Sequence, residues 1–553
     1  MPSNLMNELL KKAEEKKKAY LWFEAAQLLE KAAATSPRKT EQARIMESAG
    51  YCHSRASQQA TSHAMFRERR KAAVQAYRKA SELYRPIGGE NKTGKTSECC
   101  MQAEYYAAWL ASDPSEKKKK LSDCLAFGKK SAASYEETGD KLGYGRVCTK
   151  VLRCLFEMLY VASDSKEMAE TVEAGIEYAD KAIKALAKPE NKELLLEAYS
   201  SASLQGWYAA NISEGPDKSE QLAKRSITFS EKARQLSAGI DDPYLVAMSS
   251  WAAAIATLFF TENAQSSLEY SRKMNEQAQV AKDSYLVGVS YYVLAQVSNW
   301  MAIREADSNK KKEWLKEVIA FAKEAIRHLE PLSQDFFVAQ VRHFYAESLA
   351  LLARSAEIGS KEKRAILEKA VDIGRVGVSN ATRSGSPDAM GVTLHALSKT
   401  LQFFSNFETQ KNAKTAFLEE ALVHRQSYNE IIQKTFSSND WVTGVGKSYA
   451  GLIKRDLAEL ETDANSKKTR LEGAITDMQE GVSRCRKLTQ QRPIPTLIMT
   501  VAGFEEGLAN ILCQLYRVTK DEALLKNALE IEQNAADDFS KINAPNRAAE
   551  CYW

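Results

Sequence analysis

One segment of the sequence matches the pattern of a phosphate-binding loop. Residues 89–96 read Gly-Glu-Asn-Lys-Thr-Gly-Lys-Thr, which satisfies G-x-x-x-x-G-K-T. In such a loop, backbone N–H groups surround the phosphates of a nucleotide, the lysine contacts them, and the final hydroxyl binds Mg²⁺. The motif would indicate nucleotide chemistry if the neighbouring elements could position it.

The neighbouring elements argue against a nucleotide site. A phosphate-binding loop follows a buried β-strand and leads into a helix, whereas residues 79–86 carry a helical stripe that ends at Pro86. We find no apolar strand ending in Asp that would hold the magnesium ion. We therefore predict a loop between two helix pairs, in which Thr93 or Thr96 caps the next helix. Lys95 is then a solvated lysine, and replacing it with Ala is expected to change stability and binding very little.

Histidines and cysteines form no pattern typical of a metal or catalytic site. The six histidines never occur four residues apart with a carboxylate between them, and no G-x-S-x-G motif is present. We therefore predict that the protein is not an enzyme and uses no metal or cofactor. The nine cysteines are also unpatterned, which favours buried thiols in a reducing compartment and predicts a cytoplasmic location.

The charge and the apolar runs exclude two further classes of partner. The formal net charge of +5 arises from 77 basic and 72 acidic residues, so the chain is nearly neutral for its 553 residues. This argues against nucleic acid as a partner, and we interpret the lysine runs as solvated helix faces. The most apolar run, residues 247–260, carries two serines and is shorter than the roughly 18 residues of a membrane span. We therefore predict no membrane span.

The prolines recur at a regular interval. Successive prolines lie about 50 residues or about twice that distance apart, and polar turns occur where the interval lacks a proline. Pro114 and Pro216 fall near the middle of a unit. Because proline lacks an N–H group and marks helix boundaries, each unit is predicted to be two helices of about 20 residues. Counting the boundaries gives about eleven antiparallel helix hairpins in one continuous array over residues 1–553, an all-α solenoid.

Small residues alternate with large ones along the second helix of each predicted pair, as close helix packing requires. The first unit shows this most clearly, in Tyr20, Phe23, Ala25, Ala26, Leu28, Ala32 and Pro37. These residues resemble the second-helix half of the tetratricopeptide repeat. The Trp-x-x-Leu-Gly-x-x-Tyr opening of that family is absent, and the period is near 50 rather than 34 residues. The resemblance implies a right-handed superhelix used for protein recognition.

Aromatic residues are concentrated in the first helices. Most would fill the gaps between hairpins, and the remainder could line a concave groove, where aromatic residues and Arg are common binding anchors. Tyr106, Tyr208 and Tyr292 lie at comparable depths in their helices and are our candidates for partner binding. We predict a scaffold that binds a peptide or protein on its concave face. The alternative is a sensory or regulatory arm of a larger signalling protein, and the sequence leaves the oligomeric state open.

The last eight residues read as the opening turns of a twelfth first helix. Residues 546–553 end in Cys-Tyr-Trp, an apolar terminus, whereas a solenoid normally finishes with a polar capping repeat. We therefore expect a longer protein in which a further helix covers this segment. In the alternative reading of the function, the effector domain would lie beyond residue 553.

Overall fold

The computed structural model describes residues 2–86, 92–213, 215–305, 307–354, 360–436, 439–491 and 493–542. These residues form 22 α-helices and two short 3-10 turns, with no β-strand among them. Consecutive helices pack as hairpins, which confirms the predicted all-helical architecture of eleven pairs. The expectation for residues 546–553 lies outside the described part of the chain.

The helices of each pair are similar in length, as the proline spacing predicts. The first helices are α1 (Pro2–Lys18), α3 (Lys39–Gln58), α5 (Lys92–Ala108), α7 (Lys141–Tyr160), α9 (Lys192–Ile212), α11 (Pro243–Phe260), α13 (Ser284–Arg304), α15 (Asp335–Ala353), α17 (Pro387–Ser405), α19 (Asp440–Leu460) and α21 (Pro495–Thr519). The second helices are α2 (Trp22–Thr35), α4 (His63–Tyr84), α6 (Pro114–Glu137), α8 (Ser165–Leu186), α10 (Pro216–Ser237), α12 (Ala264–Val280), α14 (Ser308–Leu329), α16 (Ser360–Ser384), α18 (Lys411–Thr435), α20 (Ala464–Gln491) and α22 (Glu522–Lys541).

Local signals at the helix starts explain where the elements begin. Pro114, Pro216 and Pro243 lie in the first turns of α6, α10 and α11, where the missing N–H group would have had no partner within the helix. Asp113 and Asp242 cap two of these helices by accepting hydrogen bonds from first-turn N–H groups. The predicted role of proline as a helix boundary is confirmed at these positions.

Two compact units divide the chain. Unit 1 comprises residues 1–303, 309–344 and 380–386, and unit 2 comprises residues 304–308, 345–379 and 387–553. The interior of unit 1 is aromatic. Trp109, after α5, meets Tyr285 of α13 with 5.6 Å between ring centroids, and Tyr160 of α7 stacks on Phe336 of α15 at 4.0 Å. First helices far apart in sequence therefore face one another inside this unit.

Helices α11 and α13 correct the expectation about apolar segments. Each is long and apolar enough to cross a membrane by length and composition, so the prediction that no stretch reaches that length was wrong. In unit 1, 78% of the apolar window of α11 and 72% of that of α13 are buried. Both helices are surrounded by neighbouring helices, which explains why they are apolar on nearly every face.

Glycine allows the closest helix contact described in unit 2, where α19 crosses α20. A Cβ atom added at Gly481 would lie 2.7 Å from the carbonyl oxygen of Gly444 and 2.7 Å from the backbone N of Ser448. Backbone atoms cannot move aside as a flexible side chain can. The pair therefore depends on a small residue at this crossing.

Gly481→Ala is expected to destabilise the α19–α20 pair, because the clash outweighs the gain in helix propensity. Overpacking costs about 1–3 kcal/mol, whereas Gly-to-Ala in a helix gains at most about 1 kcal/mol. Hydrogen exchange of α19 and α20 measures the effect locally. Gly503→Ala is the matched control, since no atom lies within 4 Å of its added Cβ, and it is expected to stabilise α21. Equal protection in the two variants would contradict the prediction.

Candidate functional site

A cavity of about 340 Å³ opens inside unit 1. The first helices of five successive pairs, α3, α5, α7, α9 and α11, supply most of its wall, and α4 and α6 supply the rest. The wall carries five cationic side chains (Arg55, Arg70, Arg146, Lys150 and Arg153), three carboxylates (Glu193, Glu197 and Asp242) and the aromatic residues Tyr51, Tyr77, Tyr105, Tyr106, Trp109 and Tyr244. Charge and aromatic surface are thus combined in one concave site.

Arg70 of α4 is the most unusual side chain of this wall. It is 1% exposed, and its Nε and Nη2 atoms are buried without a hydrogen-bond partner among the described residues. The rings of Trp109, Tyr106 and Phe66 surround the guanidinium, with centroids 4.8, 5.0 and 5.1 Å away. Burial lowers the pKa of Arg70 to about 10, so that it stays charged at neutral pH.

Glu98 of α5 fixes two further cations of the wall. It is 1% exposed and accepts a two-pronged hydrogen bond from Arg146, with Nε–Oε1 and Nη2–Oε2 distances of 2.8 and 2.9 Å. Lys150 donates to Oε1 at 3.1 Å, and the hydroxyl of Tyr135 donates to Oε2 at 2.9 Å. The carboxylate thereby holds the side chains of α7 in place and neutralises part of their charge.

Two remaining arginines also have carboxylate partners. Arg55 of α3 pairs with Asp283 at 3.0 Å, and its guanidinium lies 3.7 Å from the ring centroid of Tyr244. Arg153 of α7 pairs with Glu197 of α9 at 2.8 Å. Four of the five cations are therefore balanced within the protein.

The structure separates the three tyrosines that the sequence proposed as a binding wall. Tyr106 lines the cavity and contacts Arg70. Tyr208 is buried against Tyr160 at 5.2 Å between centroids, and Tyr292 is buried against Phe337 at 5.5 Å. Only Tyr106 reaches the cavity wall, and the other two belong to the aromatic interior of unit 1.

The segment that resembles a phosphate-binding loop is partly helical. Residues 89–91 lie outside the described part, but Thr93 and Thr96 lie within α5, so the expectation that either caps that helix was wrong. Gly94 packs on Tyr135, since an added Cβ would lie 3.0 Å from its ring, and its carbonyl oxygen accepts a hydrogen bond from Ser131 at 2.8 Å.

Lys95 also differs from the expectation. Its Nζ lies 2.9 Å from Oε1 of Glu47 and 3.4 Å from Oε2 of Glu98, and the side chain is 30% exposed. The description of Lys95 as a solvated loop lysine was therefore wrong, and Lys95→Ala removes ion pairs of α5. A lysine engaged by two carboxylates is not arranged as a phosphate ligand.

Sequence reasoning missed the basic residues of the cavity. Arg70 and Arg146 lie on helices whose charged residues look like ordinary solvated faces. A weak signal was available, because Arg70 falls on the apolar stripe of α4 together with Phe66, Val74 and Tyr77. An arginine at a core position of an amphipathic helix needs a partner in the fold.

Comparisons with known proteins agree with this architecture. No protein-family model and no curated protein matches the chain. Among solved structures, human IFIT1, solved as a dimer with m7Gppp-AAAA, is 10% identical over 99% of this chain and 93% of its own, with a TM-score of 0.44. A signal-transduction ATPase with a tetratricopeptide repeat sensor from Pyrococcus horikoshii is 10% identical over 92% of this chain and 74% of its own, at 0.40.

A third similar structure is the S. pombe nuclear import adaptor Nro1, which is 15% identical over 53% of this chain and 92% of its own, with a TM-score of 0.32. At these identities and scores the three structures say nothing of the function of this chain. The helix pairs themselves define a tetratricopeptide-like helical-repeat protein, with a period longer than the 34 residues of the standard repeat.

Proposed function

We propose that the protein is a non-enzymatic scaffold that binds a peptide or a protein segment in the cavity of unit 1. The observation that carries this proposal is that successive first helices each contribute side chains to one concave wall. Tyr, Trp and Arg supply most binding energy in protein interfaces because they combine large contact area with hydrogen bonding. This wall carries all three residue types.

The charge balance of the wall favours a protein ligand over nucleic acid. Nucleic-acid binding relies on several cations that neutralise phosphates. Here Arg55, Arg153, Arg146 and Lys150 are already paired with carboxylates of the same unit. A track of phosphates would have to break these pairs, whereas a peptide can use the aromatic surface between them.

A peptide-display selection against the full chain tests the proposal. The wild type is expected to enrich peptides with a shared motif, and Glu193→Trp is expected to reduce their affinity because the new ring occupies the cavity mouth. Glu193 is exposed at the start of α9, so the fold should tolerate the change. Lys192→Trp is the control, since Lys192 is the adjacent exposed residue and does not line the cavity.

Two results would contradict the proposal. One is the absence of any enriched motif. The other is an enriched motif whose binding is equally sensitive to Glu193→Trp and Lys192→Trp, which would place the peptide outside the cavity.

We also propose a reducing, cytoplasmic location. The eight cysteines in the described part of the chain are free thiols, and six of them are buried. Burial raises the pKa of Cys52, Cys148 and Cys485 to about 12, which keeps these thiols protonated and unreactive. Equal thiol counts in the native protein from cells and after reduction would agree with this location, and disulfides in the native protein would contradict it.

A further inference from the structure

The cavity wall offers buried hydrogen-bond donors that the protein does not satisfy. They are Nε and Nη2 of Arg70 and the indole Nε1 of Trp109, none of which bonds to an atom of the described residues. A smaller pocket shares Trp109, Tyr105 and Tyr244 with the cavity and adds Trp251, whose Nε1 is buried in the same condition. Because an unmet buried donor is costly, a ligand that fits this wall must bring acceptors.

The charge of Arg70 is the part of this wall that the protein leaves uncompensated. The other four cations have carboxylate partners within 4.0 Å. Among the wall carboxylates, Glu197 pairs with Arg153, Asp242 caps α11, and Glu193 is exposed. Aromatic rings stabilise the cation through their faces, but they do not satisfy the N–H groups along its edge.

The edge of Arg70 left without partners is the one that grips carboxylates. Nε–H and Nη2–H point the same way and match the two oxygens of an oxyanion. Arg146 uses these same two atoms to hold both oxygens of Glu98 at 2.8 and 2.9 Å. The chain thus contains one arginine with this edge filled by a carboxylate and one, in the same cavity, with it empty.

We propose that the cavity binds an oxyanion, a carboxylate or a phosphate group, on the Nε–Nη2 edge of Arg70. The anion replaces the water-bonded alternative with two charge-assisted hydrogen bonds in a largely dry, aromatic site, where such bonds are strongest. The group can belong to a free small molecule or to an acidic residue of a bound peptide. The inference rests on the proposed function only in placing a ligand in the same cavity.

Calorimetry on the full chain tests the site with three probes, inorganic phosphate, succinate and a capped peptide containing two glutamates. At least one probe is expected to bind saturably, and Arg70→Met is expected to weaken it about tenfold or more, since hydrogen bonds to charged groups are lost. Arg425→Met is the matched control. Arg425 is an equally buried arginine of unit 2 that bonds to His395 and Ser398 and does not line this cavity.

The two sources of the oxyanion give different results. A peptide that competes with phosphate or succinate and binds more tightly than its glutamine counterpart identifies an acidic residue as the occupant. Binding of a small anion without competition from the peptide identifies a free molecule. Should Arg70→Met fail to fold, Arg70→Lys keeps the charge without the two-donor edge and is expected to weaken binding several-fold.

The proposal is overturned if no probe binds saturably at millimolar concentration, or if Arg70→Met binds as well as the wild type. It also fails if displayed peptides depend on the cavity mouth at Glu193 but are indifferent to Arg70. In that last case the scaffold function stands, because peptides still occupy the cavity.

Discussion

Replacing Glu98 with Gln is expected to lower the free energy of unfolding of unit 1 by about 3–5 kcal/mol, the cost of removing one partner from a buried ion pair. Glu98 is 1% exposed and is the shared partner of Lys95, Arg146 and Lys150. The amide keeps the size of the side chain but leaves these cations facing one another in a poorly solvated site. Hydrogen exchange of α5 and α7 measures the loss where it occurs.

The same carboxylate should make unit 1 sensitive to acid. Burial opposes the ionisation of Glu98, but Lys150, Arg146 and Lys95 outweigh it and hold its pKa well below the usual range. Because the pKa is lower in the folded chain, the stabilisation is fully present above the unfolded value of about 4.3. It is lost as the pH falls from there towards the folded pKa. Denaturant midpoints of the wild type and Glu98→Gln should therefore converge below about pH 4.

Glu104→Gln is the matched control for this prediction. Glu104 lies on the same helix and also pairs with two cations, Arg78 at 3.0 Å and Lys120 at 2.8 Å, but it is 14% exposed and its partner Arg78 is largely solvated. Such a pair contributes about 0–1 kcal/mol. An effect at Glu104 as large as that at Glu98 would show that burial of the carboxylate does not decide the cost.

The helix pairs could be predicted from the sequence because their causes are local. A proline or a capping Asp acts within one turn of its own position, as at Asp113 and Pro114. The start of α5 was misjudged because Gly94 and its neighbours have the composition of a loop. The ring of Tyr135, about 40 residues later, fills the space beside that glycine and makes it part of a helix contact.

The cavity could not be predicted in the same way. Arg70, Arg146 and Asp242 meet only because successive pairs curve around a common interior. That curvature is the sum of small rotations between neighbouring pairs, and no single residue encodes it. Tyr106 was selected correctly as a wall residue on aromatic content alone, but the same criterion selected Tyr208 and Tyr292, which fill the interior instead.

The pair of Arg55 and Asp283 joins parts of unit 1 that are far apart in sequence, and breaking it is expected to cost about 3–5 kcal/mol. Arg55 lies near the end of α3, and Asp283 precedes α13. Their side chains are 4% and 1% exposed, with 3.0 Å between Nη1 and Oδ2. Asp283→Asn removes the charge of the partner and leaves the guanidinium of Arg55 buried without it.

Loss of this pair should be felt at both helices and distinguished from loss of a helix cap. Asp283 also accepts a hydrogen bond from the backbone N of Leu286 at 2.9 Å, a role that Asn can keep. Hydrogen exchange should therefore increase in α3 as well as at the start of α13 in Asp283→Asn. Asp140→Ala, which removes the cap that accepts from Gly143 at 2.8 Å, reports the cost of a cap alone, about 1 kcal/mol.

A double-mutant cycle separates the ion pair from its surroundings. Once Arg55→Met has removed the cation, Asp283→Asn should cost much less than in the wild type, because no charge remains to be left unpaired. Arg55 also lies over Tyr244 in the wall of the cavity, so the pair connects the packing of α3 against α13 to the shape of the site. If Asp283→Asn costs the same with and without Arg55, the contact stabilises the unit through packing and not through charge.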